Sequence, residues 1–195
     1  MGVTFNNDEH RFVFDFEHDG TEDIVSLTGD GYQVEAFGKC FYYGYEFAEQ
    51  VDGNVRSAFI KHVKFTEDLQ NNPDLTQFIK KAIDQLNRHI NLYDYNLVIM
   101  PESSSKVNQY MLRYIYRFAQ PMLLNMKELK SLSDTEEDKK LCATIRNQNI
   151  LVMDDVTTSG STLNEILRTL RILNEDNEIT VFSLIGRKDL MAEAI

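Results

Sequence analysis

Cysteine is scarce in this chain: Cys40 and Cys142 are its two cysteines, far apart and with no CxxC pair. That excludes a disulfide framework and a zinc ribbon, and it fits a reducing compartment with two buried or idle thiols. Three prolines and nine glycines are too few for a collagen-like or low-complexity chain. Positive charge is also short. Lys and Arg number 20 against 31 Asp and Glu, a net charge of −11. Such a surface repels nucleic acid and anionic membranes at long range, so neither is an expected partner. An anionic small ligand would need a local nest of donors. Purely apolar runs are a few residues long, against the ~20 that a membrane span requires. The opening residues MGVTFNNDEHRF carry no basic stretch leading into an apolar one, so no secretory signal is expected. Asn6 stands where the myristoylation pattern needs Ser or Thr. A cytoplasmic location is the expectation.

What is present is globular in kind: 43% hydrophobic and 26% charged residues over 195 positions, enough to bury a core without disulfides or metal. The expected division is a β-rich subdomain over residues 1–70 and an α/β core over 71–195. Phe12, Phe14 and Phe16 alternate with Val13 and Asp15 before the turn His18-Asp19-Gly20. Ile24 to Leu27 reads as a second short strand, and Tyr32 to Phe47 as an aromatic-rich segment with period-two stretches. Short aromatic strands between Gly/Asp turns predict an antiparallel meander whose aromatic stripe is a core face. In residues 54–65, Val55, Phe59 and Val63 follow helical spacing, but Gly53 and Asn54 are weak starts. Arg56, Lys61, His62 and Lys64 make this the one locally basic stretch. It reads first as a solvated face, with contact to an anionic ligand as the alternative.

Signals sharpen at Asn72-Pro73-Asp74, an N-cap, a first-turn proline and a first-turn acid. Leu75, Phe78, Ile79, Ala82, Ile83, Leu86 and Ile90 then share one helical face. Leu97 to Met100 has the look of a buried parallel strand. Ser103 to Lys106 is a polar loop, followed by a helix carrying Met111, Leu112, Ile115, Phe118 and Ala119, with Pro121 as its stop. Met122-Leu123-Leu124 is a strand candidate, residues 127–148 are polar and charge-dense, and Ile150 to Met153 is a second buried strand. Leu163, Ile166, Leu167, Leu170 and Leu173 define a third amphipathic helix, and Ile179 to Ile185 the last strand. Strand and helix in alternation predict a parallel sheet with right-handed crossovers.

The segment ILVMDDVTTSGSTL, residues 150–163, carries the chemistry. An apolar strand runs into Asp154 and Asp155, and a loop of Thr157, Thr158, Ser159, Gly160, Ser161 and Thr162 opens a helix. Ligands of open α/β sheets sit beyond the carboxyl ends of the strands. Small residues let backbone N–H groups point inward, and the following helix N-terminus carries about half a positive charge. Together these make a phosphate nest. Carboxylates would repel phosphate, so the acids suit sugar hydroxyls or a Mg²⁺ held through water. A ribose phosphate satisfies both halves.

This segment resembles the phosphoribosyl-diphosphate (PRPP) signature of type I phosphoribosyltransferases: four apolar residues, two acids, an apolar residue, then a Thr/Gly/Ser loop. The earlier VIMPESSSKVNQYMLRYI sits where that family has its pyrophosphate loop. FYYGYEF, VRSAFIKHVKF and the VNQ after the loop are more loosely similar to the ComF branch, without its zinc-binding cysteines. The resemblance implies an α/β fold, a parallel sheet flanked by helices with an N-terminal β-rich hood. It implies that Asp154 and Asp155 bind the ribose hydroxyls and serve catalysis. Thr158, Ser159, Gly160, Ser161 and Thr162 would cradle the 5′-phosphate. Glu102, Ser103, Ser104, Ser105 and Lys106 would line the pyrophosphate site. No side chain would ligate metal directly; Mg²⁺ would be held mainly by the substrate, with Asp154 reaching it through water. Residues 127–148 fall where the family has a flexible catalytic loop, with Lys139, Lys140 and Arg146 as candidates to reach diphosphate; a solvated linker is the other reading. The hood would read the acceptor base. The implied activity is transfer of a phosphoribosyl group from PRPP, with Mg²⁺, to a nitrogen nucleophile such as a nucleobase. The alternative is a non-catalytic PRPP or nucleotide sensor on the same fold, and a homodimer stays open. A Rossmann dinucleotide protein is disfavoured because no GxGxxG follows a strand.

Overall fold

The computed structural model describes residues 2–6, 11–15, 25–27, 39–42, 53–101, 105–117, 122–125, 145–157, 160–173 and 177–186. Strands β1 (Gly2–Asn6) and β2 (Arg11–Asp15) form an antiparallel pair of their own. Strands β3 (Val25–Leu27) and β4 (Lys39–Tyr42) are also antiparallel to each other. They belong to the central sheet, however, because β4 pairs in parallel with β8 (Glu178–Gly186), Lys39 opposite Thr180. The sheet thus crosses the division expected near residue 70, and within the described residues the meander is two separate strand pairs.

Between β4 and β8 come helix α1 (Gly53–Phe65), helix α2 (Pro73–His89), a 3-10 turn (Leu92–Asp94) and β5 (Leu97–Met100). Helix α3 (Lys106–Ile115), β6 (Met122–Asn125), β7 (Asn149–Thr157) and helix α4 (Ser161–Leu173) follow. The six-stranded sheet has the order β3-β4-β8-β7-β5-β6, parallel from β4 onward. This is the α/β architecture of a parallel sheet flanked by helices that the sequence predicts. Its two central strands, β7 and β8, are apolar and buried over most of their length, as strands covered on both faces must be.

Local chemistry explains the element boundaries. Asn72 caps α2: its Oδ1 accepts the Leu75 N–H at 3.1 Å, and Pro73 occupies the first helical position, where no N–H is needed. The Asn72 side-chain Nδ2 donates to His62 Nε2 at 3.1 Å, which ties the end of α1 to the start of α2. All six expected core positions of α2 from Leu75 to Leu86 are buried. The ambiguous stretch 54–65 is a helix because Phe59 and Val63 bury fully in the main core. Phe59 meets Phe78 edge-on, with ring centroids 6.0 Å apart. Val98, Met100, Leu151, Met153, Phe182 and Leu184 join that core from the sheet. Alternation along the strands sends Ile99, Ile150, Val152 and Val181 to the other face, leaving Leu163, Ile166, Leu167 and Leu170 of α4 to cover it.

Candidate functional site

Strand β7 is longer than its apolar run. It continues through Asp154, Asp155 and Val156 to Thr157, because β8 keeps pairing with it as far as Thr157 opposite Gly186. The two acids, expected just beyond the strand, are therefore inside it. Both are buried: Asp154 is 8% exposed and Asp155 2%. Neither acid is therefore a solvated residue beside the start of the following helix. The pairing runs Asp154 opposite Ser183 and resumes at Val156 opposite Ile185. At this point the carboxylates take local backbone donors. The Asp155 N–H donates to Asp154 Oδ1 at 2.8 Å, and the Val156 N–H donates to Asp155 Oδ1 at 2.7 Å.

Burying two adjacent carboxyl groups is costly unless one is protonated or a cationic or donor group arrives. Burial, followed by the charge of Asp155, pushes Asp154 up to about 7; hydrogen bonds from the Asp155 N–H and the Asn108 side chain pull the other way. Asp155 Oδ2 and Thr157 Oγ1 are buried with no hydrogen-bond partner among the described residues. Native interiors rarely leave such atoms orphaned, so each needs a water, an ion or a ligand group as its partner.

A cleft of about 160 Å³ opens here, lined by Asp154, Asp155, Val156, Thr157, Gly160, Ser161, Thr162 and Leu163, with Pro101 from the end of β5 and Lys64 from α1. Gly160 has φ 75°, a left-handed conformation that a Cβ would penalise. Its carbonyl accepts the Asn164 N–H at 2.8 Å and starts α4. Ser161 and Thr162 are exposed in the first turn of that helix. A helix N-terminus, three hydroxyl residues, two buried acids and a lysine thus line one concavity. That set can accept hydrogen bonds from a diol and donate them to an anion.

Of the residues expected in the site, Asp154, Asp155, Gly160, Ser161 and Thr162 come together here. Thr158, Ser159, Glu102, Ser103 and Ser104 lie outside the described residues, as do Lys139 and Lys140. Ser105 caps α3, its Oγ accepting the Asn108 N–H at 3.4 Å. Lys106 is exposed in the first turn of α3 and is not among the described residues that line the cleft. Arg146 is exposed in a turn before β7. Two residues outside the expected site set also take a place here. Asn108, 1% exposed, bonds to Asp154 from α3. Lys64, read first as part of a solvated face, lines the cleft.

No protein-family model matches the chain, and no curated protein matches it. Solved structures do match. A hypoxanthine-guanine-xanthine phosphoribosyltransferase is 17% identical, over 60% of this chain and 64% of its own length, at a TM-score of 0.41. The Helicobacter pylori xanthine-guanine-hypoxanthine phosphoribosyltransferase is 15% identical, over 59% of this chain and 74% of its own, at 0.38. A Staphylococcus aureus hypoxanthine phosphoribosyltransferase is 14% identical, over 65% and 76%, at 0.41. All three are phosphoribosyltransferases by name, and none of the three names points to the ComF branch. Values of this size assign no activity to the chain, and its own residues carry the reading that follows.

Proposed function

We propose that the cleft binds PRPP and that the protein transfers its phosphoribosyl group to a nitrogen nucleophile such as a nucleobase. The observation that carries this is the adjacency of two buried acids, one with an unpartnered oxygen, to the glycine-led N-terminus of α4 in a single cleft. Asp154 and Asp155 accept hydrogen bonds from the ribose 2′ and 3′ hydroxyls. The N–H groups around Gly160, with the Ser161 and Thr162 hydroxyls, take the 5′-phosphate at the positive end of the α4 dipole. The ribose is thereby held at both ends, which fixes its anomeric carbon.

In the reaction the bond from the anomeric carbon to diphosphate breaks, and diphosphate leaves with the electron pair. The nitrogen lone pair attacks from the opposite face, so the centre inverts, and the nitrogen then loses its proton to solvent. Positive charge develops on the ribose ring as the bond breaks. The negative charge that the acid pair carries stabilises it. Mg²⁺ fits this donor set as a cation carried by the substrate. Among the described residues no group of three or more His, Cys, Asp or Glu could cage a metal. The unpartnered Asp155 Oδ2 and the Asp154 carboxyl offer hard oxygens that can reach it through water. When bound, the ion neutralises charge on the diphosphate.

Diphosphate release from PRPP and Mg²⁺ across a panel of purine and pyrimidine bases tests the activity. Base-dependent release is expected. Saturable PRPP binding without release for any base would make the protein a sensor, and absence of both would reject the site.

A further inference from the structure

The cleft contains one described cationic side chain, and it comes from an unexpected element. Lys64 sits in the last turn of α1, on the stretch that also carries Lys61 and His62. It is exposed, while the helix that carries it is anchored by Phe59 and Val63, both fully buried. The His62–Asn72 hydrogen bond fixes the same turn against the start of α2. A long cationic side chain is thus delivered on a rigid mount to the rim of a cleft floored by two acids. The rest of the cleft leaves one role open. Residues 160–162 supply donors for one phosphate, and Asp154 and Asp155 are acceptors for hydroxyls. A ligand with a second anionic group needs a second donor, and Lys64 is the lining residue that can provide it.

We propose that Lys64 binds the second anionic group of the ligand, the diphosphate when that ligand is PRPP. The inference rests on the phosphoribosyl reading of the cleft for the identity of the group, and on the cleft lining for the cation. It adds a diphosphate-binding charge at Lys64 to the one expected at Lys106. A lysine in a last helical turn also favours the helix dipole. That role alone would change stability slightly and would not discriminate between ligands.

The test compares Lys64→Gln, Lys64→Arg and, as a charge-matched control on the same helix, Lys61→Gln. Affinities for Mg²⁺-PRPP, inorganic diphosphate and ribose 5-phosphate are measured by calorimetry at fixed ionic strength. Lys64→Gln is expected to weaken PRPP and diphosphate by about tenfold or more, the scale of a lost charge-assisted hydrogen bond, and to leave ribose 5-phosphate within about twofold. Lys64→Arg should restore most of the loss, and Lys61→Gln should change little. Equal losses for PRPP and ribose 5-phosphate, or none for either, would overturn the assignment while leaving the phosphoribosyl reading standing. Lys64-dependent diphosphate binding without PRPP binding would keep Lys64 as the cation and reject that reading instead. A wild type that binds none of the three would reject both.

Discussion

Replacing Asp154 with Asn should make the protein more stable at neutral and alkaline pH. Asp154 is 8% exposed and shares its burial with Asp155; the two effects raise it from 3.8 to about 7. The direction of the linkage follows from the shift. The native state holds a proton that the unfolded chain releases near pH 4. The stabilisation is therefore complete below about pH 4 and is lost as pH rises toward and through about 7. At 1.36 kcal/mol per tenfold change in proton affinity, the whole loss is on the order of 4 kcal/mol. Asn is neutral at every pH and keeps an oxygen to accept the Asp155 N–H, now 2.8 Å away. Urea unfolding of both proteins at pH 4.5, 6 and 8 reads the effect of the Asp154–Asp155 pair as their difference, because the groups outside the pair titrate in both. The variant should match the wild type within about 1 kcal/mol at the lowest pH and exceed it by roughly 2–4 kcal/mol at the highest. A difference that stays constant across the three pH values would show that Asp154 ionises normally, and the electrostatic picture of the site would fall with it.

Three further outcomes follow from particular contacts. Gly160→Val should abolish ribose 5-phosphate binding and lower stability by about 1–3 kcal/mol, because a β-branched residue resists φ 75°; retained affinity in calorimetry would show that the amides around residue 160 do not hold the phosphate. Thr157→Val removes a buried hydroxyl that has no partner among the described residues; unfolding free energy should be unchanged or rise by up to about 1 kcal/mol, whereas a clear loss would mean that Oγ1 is bonded in the native state. Asn72→Ala removes the α2 cap and the bond to His62 and should cost about 1 kcal/mol or somewhat more in urea unfolding; no change would show that the junction of α1 and α2 is held by its apolar contacts alone.

The sequence is most legible where one local rule acts alone. Asn72-Pro73 starts α2 because the cap and the proline depend on nothing distant, and its apolar stripe is buried as the spacing predicts. Leu97 to Met100 is a strand for the same kind of reason. Strand β7 is misjudged in length because an apolar criterion stops at the first acid, whereas the strand continues for as long as β8 pairs with it. Strand β4 has the alternation of any half-buried strand. Nothing local says that it lies parallel to β8, near the far end of the chain, rather than in a separate meander. The acids, Gly160, Ser161 and Thr162 were visible because their chemistry is consecutive. Lys64 and Asn108 were not, since their roles arise from α1 and α3 docking at the end of β7. The basic stretch around Lys64 has contact with an anionic ligand only as its second reading, and the VNQ that contains Asn108 enters only through a loose resemblance.

The central claim is that the cleft between β7 and α4 is a PRPP site, and equilibrium binding tests it most directly. Calorimetric titration of Mg²⁺-PRPP into the wild type and into the double variant Asp154→Asn, Asp155→Asn should give saturable binding at one site in the first and none in the second. The double variant must keep the wild-type circular dichroism spectrum, as neutral isosteres at two buried positions should allow. Binding of equal affinity in both proteins, or no binding in the wild type, would contradict the account.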